Sequence, residues 1–155
     1  MTPRLRRLNA DYQSILENFK NHTYIHLLKT EGEPPEKYTF EYTLEGFIPD
    51  KEHLFIKGYT HKTEIFLPVD YPRRPPFCRM ITPVFHPNID PQKICIGDHW
   101  SAGESLASLV IRIGEMICFQ SYNTKSPLNG KAAAWAEQNL GILPLVKDDL
   151  MKGIL

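Results

Sequence analysis

The chain has 155 residues, 42% hydrophobic and 23% charged, a length that suits one compact domain, residues 1–155, and leaves too little for two cores. Eighteen basic residues cancel eighteen acidic ones, so bulk charge offers no reason to expect nucleic acid or an anionic membrane as partner. No apolar run approaches the roughly 18 residues of a spanning helix. The basic start Met1–Arg7 lacks the apolar block and cleavage site of a secretory signal, so a cytoplasmic protein is expected. Three cysteines, Cys78, Cys95 and Cys118, are an odd number spaced 17 and 23 apart, which fits neither a disulfide framework nor paired metal ligands. His22, His26, His53, His61, His86 and His99 show no ligand spacing with them, so no metal or organic cofactor is expected.

Thr2-Pro3 can open a helix, the threonine capping free amides and the proline losing no bond at the first position. Leu5, Leu8, Tyr12, Ile15, Leu16 and Phe19 then recur at helical steps, predicting an amphipathic helix over residues 3–20. Its arginines, Arg4, Arg6 and Arg7, are either a solvated face or a docking surface for an acidic partner. Strands are predicted over 23–29 and, on strict alternation of Tyr38, Phe40, Tyr42 and Leu44 with polar residues, over 37–46. Further strands are expected over 54–59, 63–69 and 77–81, together an antiparallel meander. Prolines at 72, 75, 76, 83, 87 and 91 require an extended, non-helical stretch. Ser101-Ala102-Gly103-Glu104 matches a capping box and predicts the start of a second helix, whose buried stripe runs from Leu106 to Ile117 and makes Cys118 a core residue. Asn129 is expected to cap a third helix reaching Asn139, and the last dozen residues to form one more short helix.

The segment Tyr71-Pro72-Arg73-Arg74-Pro75-Pro76, followed by His86-Pro87-Asn88, Cys95, Trp100-Ser101 and Pro127-Leu128-Asn129, resembles the ubiquitin-conjugating enzyme family in order and spacing. That family has a Tyr-Pro-x-x-Pro-Pro run, a His-Pro-Asn tripeptide and a cysteine about ten residues on; here Cys95 follows His86 by nine. The resemblance implies an α+β fold: an N-terminal helix, a four-stranded antiparallel meander, an extended active-site segment and C-terminal helices. It also implies a transferase in which Cys95 takes ubiquitin or a ubiquitin-like protein as a thioester from an activating enzyme. A lysine of a protein substrate would then receive it, with or without a ligase. Sulfur suits both steps, because it accepts an acyl group and leaves readily when an amine attacks. By the same resemblance Asn88 either donates to the oxyanion or braces the active-site loop, His86 is mainly structural, and Ser126 with Asn123 flanks the path of the incoming amine.

Several positions depart from the family pattern. Four residues separate Cys95 from Trp100, fewer than in familiar eukaryotic members, and Asp98 or His99 in that short loop could tune the thiol or simply be solvated. A Gly-Pro-x-x-x-Pro-Tyr turn before the third strand is missing, and Phe47 to His61 is long and charged instead. Arg73 stands where many members carry an aromatic ligase contact, so it and Arg74 become candidate partner contacts of another kind, and Ala102 replaces the proline of Trp-Ser-Pro. These shortened features look like those of divergent bacterial relatives in ubiquitin-like conjugation systems. Two other readings compete. One is a cysteine hydrolase using Cys95 with His99 or His86 and oriented by Asp98 or Asn88. The other is a non-catalytic module that binds a ubiquitin-like protein.

Overall fold

A computed structural model describes residues 1–96 and 100–155. Helix α1 (Pro3–Phe19) begins where Thr2 Oγ1 accepts the Leu5 amide, as the Thr-Pro start requires. Leu8, Ile15 and Phe19 bury its inner face. Strand β1 (Ile25–Glu31) starts two residues later than expected because His22 Nδ1 accepts the amides of both Tyr24 and Ile25, closing a turn over 22–25. Strands β2 (Lys37–Tyr42), β5 (His61–Phe66) and β6 (Phe77–Met80) continue an antiparallel sheet. Two short strands, β7 (Ile89–Asp90) and β8 (Lys93–Ile94), extend it in the order β1-β2-β5-β6-β8-β7.

The long charged stretch after β2 is a separate hairpin, β3 (Gly46–Asp50) and β4 (Leu54–Gly58), so the four-stranded meander is interrupted and then extended. Only β4 was expected. Gly46 and Pro49 hid its partner, since neither favours a strand interior. The hairpin crosses close to the main sheet, where a Cβ at Gly46 would stand 2.8 Å from His61 Nε2, and its own strands pack tightly, a Cβ at Gly58 standing 2.4 Å from Ile48 Cδ1. Phe47 and Phe55 stack at 4.0 Å and pack on Phe85, Phe119 and Trp135, a second aromatic core beside the main one.

Helix α2 (Leu106–Ile117) lies against the sheet, and nine of its twelve residues are buried. Its cap is Ser105, which accepts the Ser108 amide, and not Ser101. The predicted capping box fails because its parts are used elsewhere. Arg7 takes the carbonyls of Ala102 and Glu104 at 2.6 Å each, and the Glu104 carboxylate faces Arg112 at 3.4 Å. Asn129 caps α3 (Gly130–Gln138) as expected. The final short helix does not form. After a 3-10 turn at Leu140–Ile142 the chain runs back along α2, where Leu145 N donates to Cys118 O and Gln120 Nε2 donates to the carbonyls of Val146 and Asp148. Carbonyls taken by a distant side chain cannot close helical turns. Among the described residues no helix is long and apolar enough to cross a membrane.

Candidate active site

His86, Pro87 and Asn88 each fasten the loop over residues 121–129. The Asn88 amide donates to His86 Nδ1 at 3.0 Å, so that nitrogen accepts and Nε2 carries the hydrogen given to Ser121 O at 3.1 Å. Burial pushes the ring's pKa down to about 4 against the pull of the Ser121 carbonyl, so His86 is a neutral spacer near neutral pH. Pro87 O accepts the amides of Leu128 and Asn129. The Asn88 side chain donates to Asn123 O at 2.9 Å and accepts the Asn123 amide at 2.8 Å.

The β7–β8 hairpin presents the thiol. Ile89 pairs with Ile94, and the Cys95 amide donates to Asn88 O at 3.2 Å. Ile94 and Ile96 are buried in the core, so Cys95 between them must point outward, and it is exposed. Cys78 and Cys118 are buried, and burial raises both thiols, Cys118 to about 11. Cys95 opens onto a cavity of about 310 Å³ whose rim carries Asn88, Asn123 and Ser126. Arg112 and Met116 of α2 form its wall with Tyr122. Two larger hollows, of about 730 and 600 Å³, lie beside the β1–β2 turn and near Asp148 and hold no cysteine.

Trp100 anchors the chain ahead of α2, its indole donating to Pro72 O at 2.8 Å while its ring lies 5.8 Å from Tyr71. The Tyr71 hydroxyl donates to buried Asp11 at 2.6 Å, and Arg7 binds both. The tyrosine-proline segment, α1 and the approach to α2 are thereby locked together. A family model described as ubiquitin-conjugating enzyme matches residues 7–141, which span all of this.

The chain belongs to the ubiquitin-conjugating enzyme family.

Among curated relatives it is similar to ubiquitin-conjugating enzyme E2 N of Drosophila melanogaster, 36% identical over 84 residues that cover 51% of this chain and 54% of that protein. It is also similar to ubiquitin-conjugating enzyme E2 21 of Caenorhabditis elegans, 28% identical over 107 residues, 66% of this chain and 48% of that protein. The chain spans about half the length of these relatives. In fold it is similar to a structure from Plasmodium yoelii described as a candidate ubiquitin-conjugating enzyme, with TM-score 0.65 at 19% identity over 92% of this chain and 88% of that one.

The arginines divide by environment. Arg6, Arg73 and Arg74 are exposed, Arg74 beside Asp70 at 3.2 Å and Arg6 bonded to Met1 O. Arg4 reaches the carbonyls of Pro68 and Val69, and Arg7 is wholly engaged inside the chain. Asp98 and His99 lie outside the described residues. The cavity wall of Arg112, Met116 and Tyr122 escaped the sequence reading, where Met116 counted only as a helix's buried stripe. A cationic residue one helical turn before Met116, on a mostly apolar helix, is the signal that could have found Arg112.

Proposed function

We propose that Cys95 accepts ubiquitin or a ubiquitin-like protein from an activating enzyme as a thioester and passes it to an amine, normally a lysine, of a protein substrate. What carries the reading is that one thiol of three is exposed, at the mouth of a cavity rimmed by amide and hydroxyl groups, in a chain of this family. The Asn88 amide has two hydrogens and spends one on Asn123 O. The other serves the oxyanion of the tetrahedral intermediate, so loop bracing and oxyanion donation are compatible. Ser126 at the rim orients the incoming amine; as a hydroxyl it is a poor base. His86, with both nitrogens committed, is no general base, which removes that partner from the hydrolase alternative. Arg6, Arg73 and Arg74 offer exposed cations to an acidic face of the activating enzyme or a ligase, while Arg4, held by Pro68 O, Val69 O and Glu36, and Arg7 act as internal clamps.

Incubation with activating enzyme, ATP and modifier should yield an adduct that thiol reductant removes. Cys95→Ala should abolish it, and Cys95→Ser should give an adduct that reductant leaves intact, since an ester resists thiol exchange. Modifier cleavage without ATP would favour the hydrolase instead.

A further inference from the structure

Helix α2 stops on a backbone conformation that Phe119 is ill suited to hold. Its φ is 63°, in the left-handed region that glycine enters freely and a bulky side chain does not. The stop itself is made by two bonds: Phe119 N donates to Met116 O at 3.0 Å, and Gln120 N donates to Glu115 O at 2.8 Å. A glycine would close both without strain, so the turn alone does not account for the ring. The ring fills the second aromatic core, buried 4.8 Å from His86, 5.5 Å from Phe47, 6.2 Å from Trp135 and 5.6 Å from Tyr122. The loop that leaves it is the rim of the site: Ser121 O meets His86, Asn123 is stapled to Asn88, and Ser126 follows. Tyr122, between the two staples, lines the Cys95 cavity and also a separate hollow of about 340 Å³ bounded by Phe119, Gln120, Leu143 and Pro144. It is a partition between two spaces, and the Phe119 ring is packed against it.

We propose that Phe119 is a positioning residue for transfer to the amine: its ring, held on a left-handed backbone, keeps Tyr122 and with it residues 121–126 forward against the thiol cavity. The proposal rests on the thioester reading above. Without the ring the hollow grows, Tyr122 falls back into it, and Asn123 and Ser126 are drawn away from the carbonyl carried on Cys95. Charging needs an exposed sulfur, whereas attack by the amine needs the rim in register, so the two steps separate. Transfer is the sensitive one, because a misplacement of about 1 Å costs about 10²-fold in rate. Phe119 is buried and touches neither the acyl group nor the amine, so its effect passes through Tyr122.

The test uses the full chain, charged with activating enzyme, ATP and modifier, after which free lysine is added and loss of the thioester is timed. Phe119→Gly makes the turn without strain and removes the ring. It should charge within about twofold of the unsubstituted chain and transfer to lysine at least about tenfold more slowly. Phe119→Leu keeps apolar bulk at the position and should show the same split at smaller size, with charging unchanged and transfer about threefold slower. It carries the test alone should the glycine chain not fold. In a Tyr122→Ala background, itself slow in transfer, either substitution should add less than about twofold, since both act through one partition. Transfer at the unsubstituted rate, charging that falls in step with transfer, or an undiminished further loss in the Tyr122→Ala background would each overturn the positioning role while leaving the thioester intact. No thioester on the unsubstituted chain would overturn it together with the function it rests on.

Discussion

Asn88 donates one amide hydrogen to Asn123 O and accepts from Asn123 N, so its donor and acceptor atoms can be tested apart. Asn88→Asp keeps an acceptor for the Asn123 amide but has no hydrogen for an oxyanion or for Asn123 O, so it removes the donor of the brace together with the oxyanion donor. Transfer to lysine should then slow by about 10²–10³-fold, the usual effect of losing one oxyanion donor, with charging retained. Asn88→Ala should slow transfer equally and also speed amide exchange over residues 121–126. If the aspartate variant transfers at the wild-type rate, the side chain only braces the loop. His86 adds a pH dependence. Its pKa falls from 6.5 to about 4 on burial, so the unfolded chain binds the proton first as pH drops. Its stabilisation is complete above pH 6.5 and is lost progressively toward pH 4, a change of about 3 kcal/mol. His86→Asn should flatten that loss, measured by denaturant midpoints at pH 7.5 and 5; an unchanged slope would mean the ring is not buried neutral. Cys95 and Asn88 were visible in the sequence because they stand in a short ordered motif. Arg112 was not, because only folding brings α2 to the cavity wall.

At the level of elements, the inserted hairpin supports the site from behind. Phe47 O accepts the amide of Phe85, the residue before His86, and its ring meets Phe55, Phe119 and Trp135. Phe47→Ala should cost about 3–5 kcal/mol of stability, as buried aromatic truncations do. Exchange should also quicken at 85–88, and protection unchanged there would show that the hairpin is independent of the site. Elements governed by local rules could be read directly: Thr2-Pro3 opens α1, Asn129 caps α3, and alternation marks β2. Those governed by distant partners could not. The approach to α2 is set by Arg7 reaching over from α1, and the chain end by Gln120, neither of which leaves a periodic trace.

Across the whole molecule, the sheet and α2 share one core that buries Ile94 and Ile96 and thereby turns Cys95 outward. The loop stapled by residues 86–88 forms the opposite rim, and the Tyr71–Trp100 contact anchors the chain on its way to α2. The neutral net charge leaves no bulk field to select a partner, while Arg6, Arg73 and Arg74 stand exposed. Reversing Arg73 and Arg74 together to glutamate should slow charging by the activating enzyme more at low than at high salt, because exposed charges are screened. A salt-independent defect would point to misfolding of the turn. The most direct measurement is intact mass spectrometry after brief incubation with activating enzyme, ATP and modifier. The chain should gain the mass of one modifier less one water, on the peptide containing Cys95, and lose it again on adding free thiol. An unchanged mass, or a gain confined to peptides without Cys95, would contradict the assignment of this thiol as the carrier.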